Sequence, residues 1–154
     1  MATSAVPAAV DALLAILRAA PGLAKVQVVD GPPTVNLIGP DFLFVGFQPG
    51  ADAAVSLTQQ FASAGARLRD EDIEIQGYIE SKVGGTDMAG RRRRAFEILG
   101  EVESALRATD AAPTAPTLNG TVQWAHLTAG DLFQIQSDGV TAGLNFTVRC
   151  RARI

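Results

Sequence analysis

The sequence has few of the residues from which catalytic and metal sites are built. Its 154 residues include one cysteine, Cys150, and one histidine, His126. A single cysteine cannot form an intrachain disulfide, and no Cys-x-x-Cys or Cys/His pattern suggests a metal site. His126 lies in a candidate strand and Cys150 on an apolar strand face, which favours structural roles over a general base or a nucleophile. We therefore expect a reducing compartment, no metal or cofactor, and no enzymatic activity.

Long apolar runs and a strong excess of one charge are also lacking. No stretch approaches 18 uncharged apolar residues, so we expect no membrane-spanning segment. The Ala- and Leu-rich N-terminus lacks a basic start and carries Asp11 and Arg18, which favours a first helix over a signal peptide. The formal net charge of −3 requires neither nucleic acid nor an anionic membrane as partner. With 47% hydrophobic and 19% charged residues, the composition is typical of one folded domain over residues 1–154.

Apolar side chains recur at helical spacing in two segments. The first lies between Ser4, a candidate N-cap, and Ala20, just before a Pro-Gly pair. The second spans Thr86 to Arg107, where Thr86 or Asp87 can cap the first turn. Glu103 stands four residues before Arg107, which predicts an exposed ion pair. The apolar stripe of this second helix consists of Ala95, Ile98, Leu99, Val102, Ala105 and Leu106.

Strand patterns occupy most of the remaining chain. Residues 41–47 are apolar on both faces, which predicts a covered strand, whereas Gln48 to Arg69 allows either a strand or a short helix. The strictest alternation lies in Leu144 to Ile154. The order of elements predicts an α+β fold, a mainly antiparallel sheet with two α-helices packed on one face. The other candidate strands are residues 25–30, 70–80, 121–127 and 132–136.

Two of these strands carry opposite charges on their polar faces. The acidic set is Asp70, Asp72 and Glu74, and the basic set is Arg149, Arg151 and Arg153. If the strands are neighbours, cross-strand ion pairs form. If they belong to different subunits, the same charges set the register between partners. We interpret the second helix as a brace that holds the two charged faces apart, so that they meet on neighbouring subunits.

Four consecutive arginines, Arg91, Arg92, Arg93 and Arg94, lie in the early turns of the second helix. The helix macrodipole disfavours positive charge there. The four side chains spread over roughly 300° around the helix, so they cannot all face one ligand, and at least one lies beside the apolar stripe. Solvated or intramolecular ion pairing, a subunit interface and DNA contact all remain open. The preceding Gly84-Gly85 resembles a phosphate-binding loop in outline, but Asp87 would repel a phosphate and an ordinary capped loop is favoured.

Two long segments carry a resemblance to a known family. They are GGTDMAGRRRRAFEILGEVESALRA and LNGTVQWAHLTAGDLFQIQSDGVTAGLNFTVRCRARI, roughly Gly84 to Ile154. The opening AVDALLAILRAAPGL and the strand DFLFVGF are similar in kind. Together they resemble the tail terminator proteins, also called minor tail or tail completion proteins, of long-tailed phages (siphophages) with actinobacterial hosts.

The resemblance implies an α+β virion protein that is assembled in the host cytoplasm and located at the head-proximal end of the tail. There a ring, expected to be a hexamer, caps the tail tube protein, ends tube growth and offers the docking surface for the head–tail connector or neck protein. DNA passes through the lumen without specific binding. Ring closure is expected to use the charged strand faces and Arg91 to Arg94. Gln48 to Gly65 is expected to be a contact loop toward the tube or the connector. The alternatives are a head–tail connector protein, a DNA-binding module that uses the arginine-rich strand and, third, a small enzyme.

Overall fold

The computed structural model describes residues 3–34 and 36–154, and it confirms the predicted α+β class. The described part of the chain contains two α-helices and seven strands. Two short 3-10 helices, Pro21–Leu23 and Ala115–Thr117, lie in the connections. In chain order the elements are α1 (Val6–Ala19), β1 (Gln27–Asp30), β2 (Asp41–Val45), β3 (Val55–Phe61), β4 (Arg69–Val83), α2 (Met88–Ala105), β5 (Trp124–Ala129), β6 (Leu132–Gln136) and β7 (Val140–Arg153).

The sheet is organised around its two longest strands. β4 and β7 are antiparallel neighbours, paired from Asp70–Arg153 to Val83–Val140. β2 and β3 both pair with β4 on its other side, and β5 and β6 both pair with β7. β1 extends the sheet beyond β2 and is the one strand that pairs in parallel within the described residues. Each long strand therefore pairs along its outer side with two short strands, one after the other.

Both helices pack on one face of this sheet, as predicted. Alternate residues of β4 and β7 point toward the helices and form a single apolar core with them. The Phe146 ring lies over Gly77, where a Cβ atom would overlap it, which accounts for a glycine in mid-strand. Fully buried members of this core include Leu13, Leu17, Ile73, Ile75, Ile79, Ile98, Val102, Leu144, Phe146 and Val148.

Local signals set the start of α2. The Asp87 side chain accepts a hydrogen bond from the Gly90 N–H at 3.0 Å, which confirms the predicted cap. The predicted pair of Arg107 and Glu103 is also present, at 2.6 Å. The helix begins at Met88 and ends at Ala105, two residues inside the predicted limits at each end.

The start of α1 depends on a distant residue. Ser4 lies before the cap position, which Ala5 occupies, and its hydroxyl accepts the N–H of Val6 at 3.1 Å. The N–H of Ala5 donates to a carboxylate oxygen of Glu71 at 2.8 Å. Glu71 is fully buried, and its second oxygen accepts a hydrogen bond from Gln59 of β3 at 2.5 Å. The first helix is therefore capped from the sheet, a contact that no local pattern indicates.

The segment Gln48 to Arg69, for which the sequence allowed a strand or a short helix, contains the strand β3. Several strand limits differ from those predicted. β4 reaches Val83 and β7 begins at Val140, because the two strands extend each other's ladder beyond the apolar pattern. β5 begins only at Trp124, after a series of turn hydrogen bonds that ends with Val122 N–H donating to Thr117 O. All five residues of β2 are buried, which confirms the covered position predicted for this strand.

The face opposite the helices, here called the open face, has no helix over it among the described residues. Near β2 it carries an aromatic cluster in which Phe42, Phe44 and Tyr78 are buried and Phe47 packs at the edge. Burial raises the pKa of Tyr78 to about 12. No helix among the described residues is both long and apolar enough to cross a membrane.

The buried stripe of α2 generates a stability prediction. Ile98 is fully buried between the helix and the sheet, so replacing it by Ala removes packed atoms and leaves a cavity. We expect the free energy of unfolding of the Ile98→Ala variant to fall by about 2–5 kcal/mol in urea titration. Phe96→Ala, on the half-exposed side of the same helix, is the matched control and should cost less than about 1 kcal/mol. Equal losses for the two variants would contradict this packing.

Candidate interaction surfaces

The acidic and basic strand residues pair with one another within the chain. β4 and β7 place Asp72 opposite Arg151 and Asp70 opposite Arg153. Arg151 donates from Nε and Nη2 to the two Asp72 carboxylate oxygens at 2.8 and 3.0 Å. Arg153 donates from Nε to Asp70 at 2.8 Å. The neighbouring-strand alternative is thus confirmed for these pairs, and the interpretation of α2 as a brace between separated faces is wrong, because β4 and β7 are adjacent hydrogen-bonded strands.

This row of charges, here called the charge ladder, is largely neutralised by its own pairing. The hydrogen bonds from Arg153 and Arg151 lower the pKa of Asp70 and Asp72, respectively. The same bonds raise the pKa of both arginines. The third rung, Glu74 opposite Arg149, differs. Both of its side chains are exposed, and no ion pair joins them among the described residues.

Two of the four consecutive arginines attach α2 to the sheet. Arg94 donates from Nε to the Asp41 carboxylate at 2.9 Å. Arg91 donates to the Ser81 hydroxyl at 3.0 Å and lies 4.0 Å from the other Asp41 oxygen, which accepts a hydrogen bond from Ser81 at 2.7 Å. Asp41 and Ser81 are buried at the ends of β2 and β4. The intramolecular alternative is confirmed for Arg91 and Arg94, whose stems lie beside the apolar stripe.

The other two arginines point elsewhere. Arg92 donates to the Gln134 side chain of β6 at 2.7 Å. Arg93 is exposed, and within residues 3–34 and 36–154 no ion pair or side-chain hydrogen bond involves it. The run therefore does not form one basic surface, in agreement with the expected spread around the helix.

The residues considered for chemistry lie apart. Cys150 is fully buried, and burial raises the pKa of its thiol to about 12. His126 is exposed and stacks on Trp124 with ring centroids 4.8 Å apart. His126 and Glu103 line the same depression, of about 380 Å³, but Glu103 is bonded to Arg107 and no hydrogen bond to His126 is found in the described part of the chain. The described residues also contain no group of three or more potential metal ligands.

Sequence reasoning missed a set of large apolar side chains that are exposed at the sides of the sheet. Phe61 and Leu68 lie at the β3–β4 connection, and Phe133 and Ile135 lie on β6. A signal for the second pair was present, since Phe133 and Ile135 alternate with glutamines along a short strand. On an edge strand, both faces of such an alternation can be exposed.

Comparison with known proteins returns no identification: no protein-family model matches the chain, and neither does any curated protein. The function must therefore be argued from the surfaces described above. These surfaces are the charge ladder, the aromatic end of the open face and the exposed apolar sides of the sheet.

The buried carboxylate of Asp41 generates a second prediction. Asp41→Ala removes the acceptor of Arg94 and Ser81 and leaves two guanidinium groups beside a buried hydroxyl. We expect the free energy of unfolding to fall by about 2 kcal/mol or more, since hydrogen bonds to charged groups are worth about 1.5–3 kcal/mol each. The control is Glu97→Gln, which alters the exposed carboxylate on the same Arg94 and should cost about 0.5 kcal/mol or less. A loss for Asp41→Ala no larger than that of the control would contradict an anchoring role.

The charge ladder generates a pH-dependent prediction. The pKa of Asp72 is lower in the folded chain than in the unfolded one, so its ion pair contributes stability above about pH 4 that is lost as the pH falls through the folded pKa. Asp72→Asn should therefore lower Tm near neutral pH, and its difference from the natural chain should shrink in acid. Glu74→Gln, on the unpaired rung, should have a smaller effect at neutral pH. A Tm difference for Asp72→Asn that is the same at all pH values would refute the assignment.

Proposed function

We propose that this chain is a tail terminator of a long-tailed phage, a ring-forming virion protein that caps the tail tube and receives the neck protein. The family resemblance is strongest from Gly84 to Ile154, and in the structure these residues form one continuous unit. α2 packs on β7, while β5 and β6 pair with the outer side of β7. The α+β class of the fold is the one that the resemblance implies.

The observation that carries the proposal is the distribution of exposed apolar surface. The helices cover one face of the sheet. Large apolar side chains remain exposed at two opposite edges of the sheet, Phe61 and Leu68 at one and Phe133 and Ile135 at the other. Two depressions in the described part of the chain, one beside Lys82 and one beside His126, are both partly open to solvent. Contacts with other proteins are the kind of function that such surfaces serve.

The pairing within the charge ladder affects how strongly the ring could bind DNA. A ring through which DNA passes must not hold it tightly, and guanidinium groups already bonded to carboxylates are poor phosphate ligands. Arg151 and Arg153 are paired in this way, and Arg91 and Arg94 are bonded inside the protein. The pairing reduces support for the DNA-binding alternative, which needs these arginines free. A head–tail connector remains the alternative within virion assembly.

The proposal predicts an end-specific effect on tail tubes. Adding the protein to polymerising tail tube protein should shorten the tubes at amounts far below one copy per tube subunit, because a cap acts only at ends. Negative-stain electron microscopy should show a ring at one end of each tube. The Glu97→Gln variant, changed only at an exposed side chain of α2, should cap equally well.

Other outcomes would replace the proposal. Binding to capsid portals without any binding to tube ends would favour the head–tail connector. DNA affinity that falls steeply between about 50 and 200 mM salt would favour the DNA-binding module, because phosphate contacts release counterions. No binding to tubes, portals or DNA would reject all three.

A further inference from the structure

Two opposite sides of the sheet carry exposed residues whose side chains form no hydrogen bond or ion pair within the described chain. The first, here called the β3 edge, consists of Leu57, Phe61, Arg67 and Leu68. The second, here called the β6 edge, consists of Asp131, Phe133, Ile135 and Asp138. β3 pairs only with β4 and β6 only with β7, and the β4–β7 pair lies between them. The two edges therefore face in opposite directions and do not overlap.

Both edges combine apolar and unpaired polar groups. On the β3 edge, Phe61 is 68% exposed and Leu68 is 53% exposed. On the β6 edge, Ile135 is 59% exposed and Phe133 is 46% exposed. In addition, the outer backbone groups of β3 and β6 have no strand beside them among the described residues, which makes each a ready partner for another chain. Scattered apolar residues are ordinary, but two such groups on strand edges favour association.

The charges of the two edges are complementary. The β3 edge carries one charged residue, the exposed Arg67. Residues 121–140 contain Asp131 and Asp138 and no lysine or arginine. Arg67, Asp131 and Asp138 are all exposed, and none forms an ion pair within the described residues. Lys82 shares a depression with Asp138, but its amino group lies 3.9 Å from Glu80.

We propose that the β3 edge of one copy of this chain binds the β6 edge of a second copy. Phe61 and Leu68 then pack against Phe133 and Ile135, and Arg67 meets one of the acidic residues that flank β6, Asp131 or Asp138. The contact joins two different surfaces, so an open assembly always has one free β3 edge and one free β6 edge at its ends. It adds copies until these two edges bind each other and close a ring. Its role as the contact between ring subunits rests on the proposed function.

The charges favour this pairing over symmetric ones. Two β6 edges brought together would oppose Asp131 and Asp138 to the same residues of the partner. Two β3 edges would likewise oppose Arg67 to the Arg67 of the partner. Like charges across an interface are unfavourable, so the head-to-tail pairing is the one that brings opposite charges together. The charge ladder, already paired within each chain, is not needed for closure.

The test uses two variants that each spoil one edge, Phe61→Asp and Ile135→Asp. The natural chain should form species larger than a dimer in sedimentation velocity across about 1 to 500 μM. Each variant alone should remain monomeric in the lower part of this range, with association weakened at least about tenfold. An equimolar mixture should form a heterodimer and nothing larger, since each variant keeps the edge that the other has lost. Ile38→Asp, at an apolar residue 84% exposed but outside both edges, should assemble like the natural chain.

Charge reversal provides an independent check. Arg67→Glu and the double variant Asp131→Arg, Asp138→Arg should each weaken association, and a mixture of the two should restore it at that contact. A natural chain that stays monomeric throughout this range, or a mixture of edge variants that forms no heterodimer, would overturn the inference. Because association is measured without tails, its outcome is separate from tube capping. Assembly that depends on the edges but does not cap tubes would reject only the proposed function. Capping that both edge variants retain would reject only the proposed contact between the β3 edge and the β6 edge.

Discussion

The antiparallel pairing of β4 with β7 is the constraint on which the rest of the structure depends. Every other strand but β1 attaches to one of these two, and both helices pack on the face that they share. Their register also decides which residues meet. A shift by one residue would turn Ile73 and Val148 to solvent and bring carboxylates into the core, so burial on one face and ion pairing on the other select the same alignment.

The arginine run shows how an unfavourable local arrangement is offset by the tertiary structure. Four cations in the first turns of a helix oppose its macrodipole, yet Asp41 and Ser81 lie where two of them can bond. Asp41 of β2 lies 53 positions from Arg94, whereas Ser81 of β4 lies only 10 positions before Arg91. The run therefore fixes the position of α2 on the sheet, and only its outward members, Arg92 and Arg93, are available at the surface.

Fold class, helix positions and most strands could be predicted, because each depends on a local period of apolar residues. Leu144 to Ile154 and the stripe through Ile98 are examples. Pairing partners could not be predicted, since alternation shows which face a residue occupies but not which strand lies beside it. The sequence therefore left open whether the residues of the charge ladder pair within one chain or between two subunits. The exposed Phe61 and Phe133 were missed for a related reason: an apolar side chain on an edge strand has the same sequence pattern as one in the core.

The capping of α1 by Glu71 has a consequence for synthesis on the ribosome. Ala5 and Glu71 are 66 positions apart, so α1 emerges well before the carboxylate that caps it. At roughly 5–20 residues per second, several seconds pass before that partner is made, and longer before β7 completes the sheet. During this interval the apolar side of α1 has no sheet to pack on. A nascent chain of this protein thus exposes Leu13, Leu14 and Leu17 until the strands that cover them have been made.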